Sequence, residues 1–152
     1  PEEDAEAARQ RTAVGVRGAG AVEEHVEHRE PDRDGSAAED ALPVTLMRTD
    51  DRVEAPGGVA PAVTDAAHPI LRDVKGAWPA LLGYNRVAAR PGASVIATAG
   101  ADPLLVAGGH GEGRSVAFMS DCGPHWAPPP FVDWTGYAAL WNGIAEWAGG
   151  HR

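Results

Sequence analysis

Cysteine is almost absent from this chain of 152 residues: Cys122 stands alone, so no internal disulfide can form and a secreted disulfide scaffold is excluded. Long apolar runs are absent too, since none approaches the roughly 20 residues needed to cross a bilayer. The first residues, PEEDAEAARQ, are acidic and have no apolar centre, which is not a signal-peptide pattern. Positive charge is scarce, with 13 Lys and Arg against 22 Asp and Glu and a net charge of −9, which argues against a nucleic-acid backbone as partner. These deficits predict a soluble cytoplasmic protein with no membrane or nucleic-acid partner. They leave the oligomeric state open.

The scarcity is uneven. Residues 1–40 contain no Leu, Ile, Met or aromatic residue and only four Val, while holding 12 acidic and 5 basic residues, a balance of −7. Such a segment buries too little apolar surface to offset its chain entropy. Residues 1–40 therefore read as a disordered or poorly ordered acidic tail. The alternative is a pair of short solvated helices, the second placing His25 and His28 one turn apart on a solvated face. Residues 41–152 carry the remaining 10 acidic and 8 basic residues and have core character.

In that second segment "LPVTLM" predicts a strand. The Pro- and Gly-broken run "RTDDRVEAPGGVAPAVTDAAHPIL" predicts mostly loop with a short edge strand. His68 precedes a proline and is expected to be extended, before a short helical turn. "LLGYNRVAA" and "ASVIATA" predict two further strands. "PLLVAG" and "RSVAFMS", flanking "GHGEG", predict a β-hairpin. The glycines fall as G-x-G-x-G with a strand after them, so no helix N-terminus is available for a phosphate. Trp134, Tyr137, Trp141, Ile144 and Ala148 recur at helical spacing before Gly149 and Gly150, which predicts a C-terminal helix laid on a sheet. One convincing helix with several strands gives an α/β or α+β domain, small or part of something larger.

Chemistry concentrates in "SDCGPHW", Ser120 to Trp126. Cys122 and His125 make at most half of a zinc site, and His110 lies about 23 Å away along a strand at about 3.3 Å per residue. Cys122 reads first as a small buried hydrophobe. The neighbouring Asp121 would raise its pKa, and no Lys or Arg lies between Met119 and Asp133 to stabilise a thiolate. A poorly reactive thiol is expected. Asp121 is expected to accept backbone N–H bonds in the turn before the helix. His125 follows the apolar strand "VAFMS", where open α/β sheets place ligands. It reads either as a functional histidine or as one held between Pro124 and Trp126 for structural reasons. No cofactor and no metal is implied.

The ordered motifs "HPIL" (His68 to Leu71), "LGYN" (Leu82 to Asn85), G-x-G-R ending at Arg114, and "SDCGPHW" through "WTGYAALWNGIAEWAGG" resemble the C-terminal part of the glutamine amidotransferase-like family. The resemblance spans roughly residues 41–152. It implies part of a flavodoxin-like α/β sandwich, with a β-hairpin and a C-terminal helix on the sheet. In working class I members the cysteine nucleophile lies upstream on a G-x-C-x-G elbow, and the histidine follows a late strand in an H-P-E motif. The resemblance assigns that histidine to His125, with Asp121, Cys122 and Trp126 as structural loop residues. The glutamate is missing, because Trp126 and Ala127 follow His125, and the cysteine elbow is missing as well. The chain is thus expected to be a fragment, inactive alone, whose full-length domain takes glutamine or another small amide. The abrupt change of composition near Ala41 suggests a truncated or out-of-frame gene start. A non-catalytic α/β module binding a small ligand or a protein, and a fragment without function, are the alternatives.

Overall fold

Local sequence accounts for the first element. In the computed structural model, which describes residues 36–151, the Ser36 hydroxyl accepts the Glu39 N–H at 3.1 Å and caps helix α1, Ala37–Ala41. This helix straddles the expected boundary at residue 41. The rest of the acidic tail, with His25 and His28, lies outside the described residues.

Strand β1, Val44–Leu46, pairs antiparallel with β5, Val87–Ala89. β2, Arg52–Val59, pairs antiparallel with β4, Leu81–Asn85. The stretch holding β2 was expected to be mostly loop, yet it gives an eight-residue strand and, after it, β3, Pro61–Val63. The Pro and Gly residues are accommodated by a register shift between Glu54 and Val59, with Gly58 at φ +81, so the missing proline N–H falls where the ladder is irregular. "LLGYNRVAA", expected as one strand, is two, because β4 and β5 join different partners on either side of Arg86.

The largest sheet runs β3-β6-β7-β8, with β6 at Ser94–Ala99, β7 at Asp102–His110 and β8 at Gly113–Phe118. β7 and β8 form a hairpin across Gly111 and Glu112, where Gly111 takes φ +57 as a two-residue turn demands. Leu104, Leu105 and Val106 are consecutive on β7 and all fully buried, so both faces of this strand are covered. One hydrophobic cluster joins Ile70, Leu81, Ile96, Phe131 and Leu140 to β7, and a smaller one joins Val44 and Val87 to Val106 and Ala117. Every ladder among the described residues is antiparallel. The architecture is a mixed α/β fold with antiparallel sheets and a C-terminal helix.

His68 is extended, as its following proline requires, and starts a 3-10 turn, Pro69–Leu71. A short helix α2, Pro129–Val132, buries Phe131. The C-terminal helix α3 spans Tyr137–Ala148 and stops at Gly149 and Gly150. Its buried positions are Leu140 and Gly143; Trp134, Tyr137 and Ile144 of the expected stripe pack against the same core together with Trp147, and Trp141 meets Phe118 edge-on at 5.2 Å. Trp134 precedes the helix and Ala148 is exposed. Gly143 marks the closest approach: with no side chain, it lets the helix backbone come up to the carbonyl of Ile70, where a Cβ would lie 2.1 Å away.

Candidate functional site

After β8 the chain turns and runs back along the free edge of β4. Met119 donates its N–H to Leu104 at 2.8 Å, and the Met119 carbonyl accepts from Asn85 at 2.7 Å. Further on, the Ser120 hydroxyl donates to Gly83 at 2.8 Å and Leu82 donates to the Trp126 carbonyl at 2.8 Å. These bonds staple the loop at both ends. Gly83 is the reason the loop lies so close, since a Cβ there would stand 2.3 Å from the Trp126 indole nitrogen. The same indole N–H donates to Glu54 on β2 at 3.1 Å.

Between these staples Asp121 and His125 meet. One carboxylate oxygen of Asp121 accepts the Trp126 backbone N–H at 2.9 Å and lies 3.1 Å from Nδ1 of His125. A carboxylate at Nδ1 favours the tautomer with the proton there, which leaves Nε2 free to accept another. His125 adopts φ +121, among the described residues the one non-glycine position with positive φ. Such backbone costs on the order of 1–3 kcal/mol and persists where its surroundings over-determine it. Here the bonds to the backbone N–H and carbonyl of Trp126 and to its indole N–H do so. The His125 side chain is 70% exposed, with its ring 5.4 Å from that of Trp126.

Cys122, expected to be a small buried hydrophobe, is exposed. The turn holds this residue through its carbonyl, which accepts from the Tyr137 hydroxyl, and the thiol is left to solvent. Trp126 is buried, with 7% of its surface accessible. The Asp121 partnership with His125 was not anticipated, because an orienting acid was sought after the histidine. The signal was present as D-x-x-x-H. Glu54 and Gly83 carried no signal, since each acts through a contact with a residue far along the chain.

Beside the loop lies an open cleft of about 170 Å³. Asp51, Asn85, Ser120 and Asp121 supply its polar side, and Leu46, Val87, Phe118, Met119 and Trp126 its apolar side. His125 is not part of this lining. Among the described residues no group of three or more His, Cys, Asp or Glu side chains could hold a metal ion, and no helix is long and apolar enough to cross a membrane.

The family described as "Putative glutamine amidotransferase" matches residues 30–149. The match begins eleven residues ahead of the compositional boundary at Ala41. No curated protein matches the chain. Among solved structures, Cytoplasmic Protein STM3548 from Salmonella typhimurium is 37% identical, with a TM-score of 0.71, over 75% of this chain and 46% of that one. Cytoplasmic Protein STM1381 from Salmonella typhimurium LT2 is 38% identical, also with a TM-score of 0.71, over 74% of this chain and 46% of that one. The chain therefore spans a little under half the length of these structural relatives.

Proposed function

Because the chain belongs to this glutamine amidotransferase family, we propose that its described part is the histidine-bearing portion of an amidotransferase-like domain, with His125 as proton carrier and Asp121 as positioning residue. The observation that carries this reading is the 3.1 Å pair of Asp121 and His125 Nδ1 on a loop held at both ends. Amide transfer from glutamine needs a thiolate to attack the side-chain carbonyl and an acid to protonate the departing ammonia. His125, with Nε2 open, has the chemistry for the second task. Asp121 takes the part for which the family's glutamate is missing.

Cys122 does not suit the first task. It lies three residues before His125 on the same turn, and no Lys or Arg lies from Met119 to Asp133 to stabilise a thiolate. The nucleophile is assigned to the part of the longer relatives that this chain does not span. The same part would bring the parallel strands of a flavodoxin-like sandwich. The names of the two Salmonella proteins support a cytoplasmic location.

The 152-residue chain alone is expected to release no ammonia from glutamine. When it is expressed together with its upstream coding sequence, hydrolysis is expected, falling by about 10²–10⁴-fold in His125→Ala. Ammonia release by the 152-residue chain, abolished in His125→Ala, would overturn the division of labour. Full activity of the longer protein carrying His125→Ala would overturn the role of His125.

A second reading, a non-catalytic small-ligand module, is favoured by the cleft, whose lining omits His125. A residue other than cysteine at the upstream elbow would decide for it.

A further inference from the structure

Glu54 stands directly opposite Gly83 across the β2–β4 ladder, so the two positions share one face of the strand pair. Gly83 leaves an empty place on that face, and the Trp126 indole fills it. A Cβ on Gly83 would lie 2.3 Å from the indole nitrogen, 2.5 Å from Cε2 and 2.6 Å from Cδ1. The nitrogen edge of the ring thus lies over the glycine, and its N–H ends on Glu54 at 3.1 Å. Trp126 is buried, and a buried indole N–H needs an acceptor. Among the described residues Glu54 is the one acceptor it has. Arg52 is within electrostatic reach of Glu54 but spends its guanidinium on Asp50, at 3.0 Å for both bonds.

Trp126 in turn has two links to His125. Its backbone N–H donates at 2.9 Å to the Asp121 oxygen that lies 3.1 Å from His125 Nδ1. Its ring lies 5.4 Å from the imidazole, with the two planes 31° apart. An aromatic face within about 6 Å favours a cation, so this ring suits an imidazole that takes up a proton. We infer that Glu54 is a positioning residue for His125, acting through the indole of Trp126. Ser120 and Leu82 fasten the loop backbone independently, so Glu54 governs the direction of the ring and not the path of the chain. Without that acceptor the indole N–H is left unpaired and the ring turns towards solvent, taking with it the surface beside the imidazole. The inference rests on the reading of His125 as proton carrier, but the positioning is measured without turnover.

The test has two parts. In the ¹⁵N-labelled 152-residue chain, NMR follows the His125 ring nitrogens, the His125 ring protons and the Trp126 indole N–H. The parent is expected to hold its proton on Nδ1 and to show His125 ring protons shifted by the indole. Glu54→Ala is expected to move both towards the values of an unconstrained histidine. Glu54→Gln, whose amide oxygen still accepts the indole N–H, is expected to restore them. In a Trp126→Phe chain there is no N–H to hold, so adding Glu54→Ala is expected to change nothing further. In the longer protein carrying its upstream sequence, Glu54→Ala is expected to lower kcat about tenfold, the scale of one charge-assisted hydrogen bond, with KM unchanged and Glu54→Gln close to the parent. Unchanged His125 signals in Glu54→Ala, equal changes in Glu54→Ala and Glu54→Gln, or an effect of Glu54→Ala that persists in the Trp126→Phe chain would overturn the inference. Moved His125 signals together with a longer protein that does not hydrolyse glutamine would leave the positioning standing and overturn the amidotransferase reading.

Discussion

Gly143→Ala pits two effects against each other at one position. In a helix interior, alanine is favoured over glycine by roughly 0.5–1 kcal/mol because it restricts the unfolded chain and does not weaken the helix. On propensity alone the substitution stabilises. In the fold, however, the new Cβ would lie 2.1 Å from the Ile70 carbonyl oxygen, 3.1 Å from its carbon and 3.4 Å from its Cα. All three are backbone atoms of the 3-10 turn, so no side chain can swing aside. Helix and turn must part by more than an ångström, opening the contact beneath Ile70 and Leu140, both fully buried. Overpacking of this kind costs about 1–3 kcal/mol, occasionally more, so packing outweighs propensity. A net loss of about 1–2 kcal/mol is expected. In a urea melt followed by tryptophan fluorescence, with a slope of about 1–3 kcal/mol per molar, the midpoint falls by on the order of 1 M. Gly57→Ala is the control, because nothing lies within 4 Å of its new methyl. A midpoint for Gly143→Ala equal to or above that of the parent would refute the close approach of α3 to the turn.

Gly83→Ala forces the Trp126 indole off β4 and breaks its bond to Glu54, so a loss of about 1–3 kcal/mol in the same melt is expected, together with a shifted Trp126 indole proton in NMR. Trp141→Ala removes a half-buried ring set edge-on to Phe118 at 5.2 Å and is expected to cost about 3 kcal/mol; Trp141→Phe, which deletes a buried N–H that has no partner, is expected to cost far less. His68 has its pKa lowered by burial, only partly offset by Asp65, and its Nδ1 accepts the Ile70 N–H at 3.3 Å. The unfolded chain therefore binds this proton first. His68's share of the pH dependence is absent above its ordinary value of 6.5, and stability falls as pH drops from there towards the lowered folded value. His68→Gln is expected to flatten that limb of the urea midpoint against pH, and an unchanged limb would count against it.

Much of the fold was legible because its signals are local. His68 before Pro69 fixed an extended residue and then a turn, and the glycines around His110 fixed a hairpin. β2 was hidden, since Pro56, Gly57 and Gly58 look like loop residues and are tolerated only because the ladder with β4 is irregular there. The stripe on α3 was legible, but its point of closest approach was hidden for a related reason. Aromatic residues dominate any reading of its periodicity, yet Gly143 makes the closest approach, and a missing side chain adds nothing to a hydrophobic pattern.

The site divides along the same line. Asp121 and His125 stand four residues apart, and their meeting depends on a turn that Gly123 and Pro124 make plausible from sequence alone. What holds the turn in place does not. Trp126 reaches back 72 residues to Glu54, across a strand where Gly83 must lack a side chain, and strand periodicity says nothing about which residue of one strand faces which of another. The left-handed backbone at His125 follows from those distant contacts: fastened at Trp126 on one side and at Ser120 on the other, the loop closes the Asp121 pair at the cost of strain at a single residue. A histidine held in this way keeps its ring direction without being buried. It is therefore both exposed and oriented, the combination that the proposed role of His125 as a proton carrier requires.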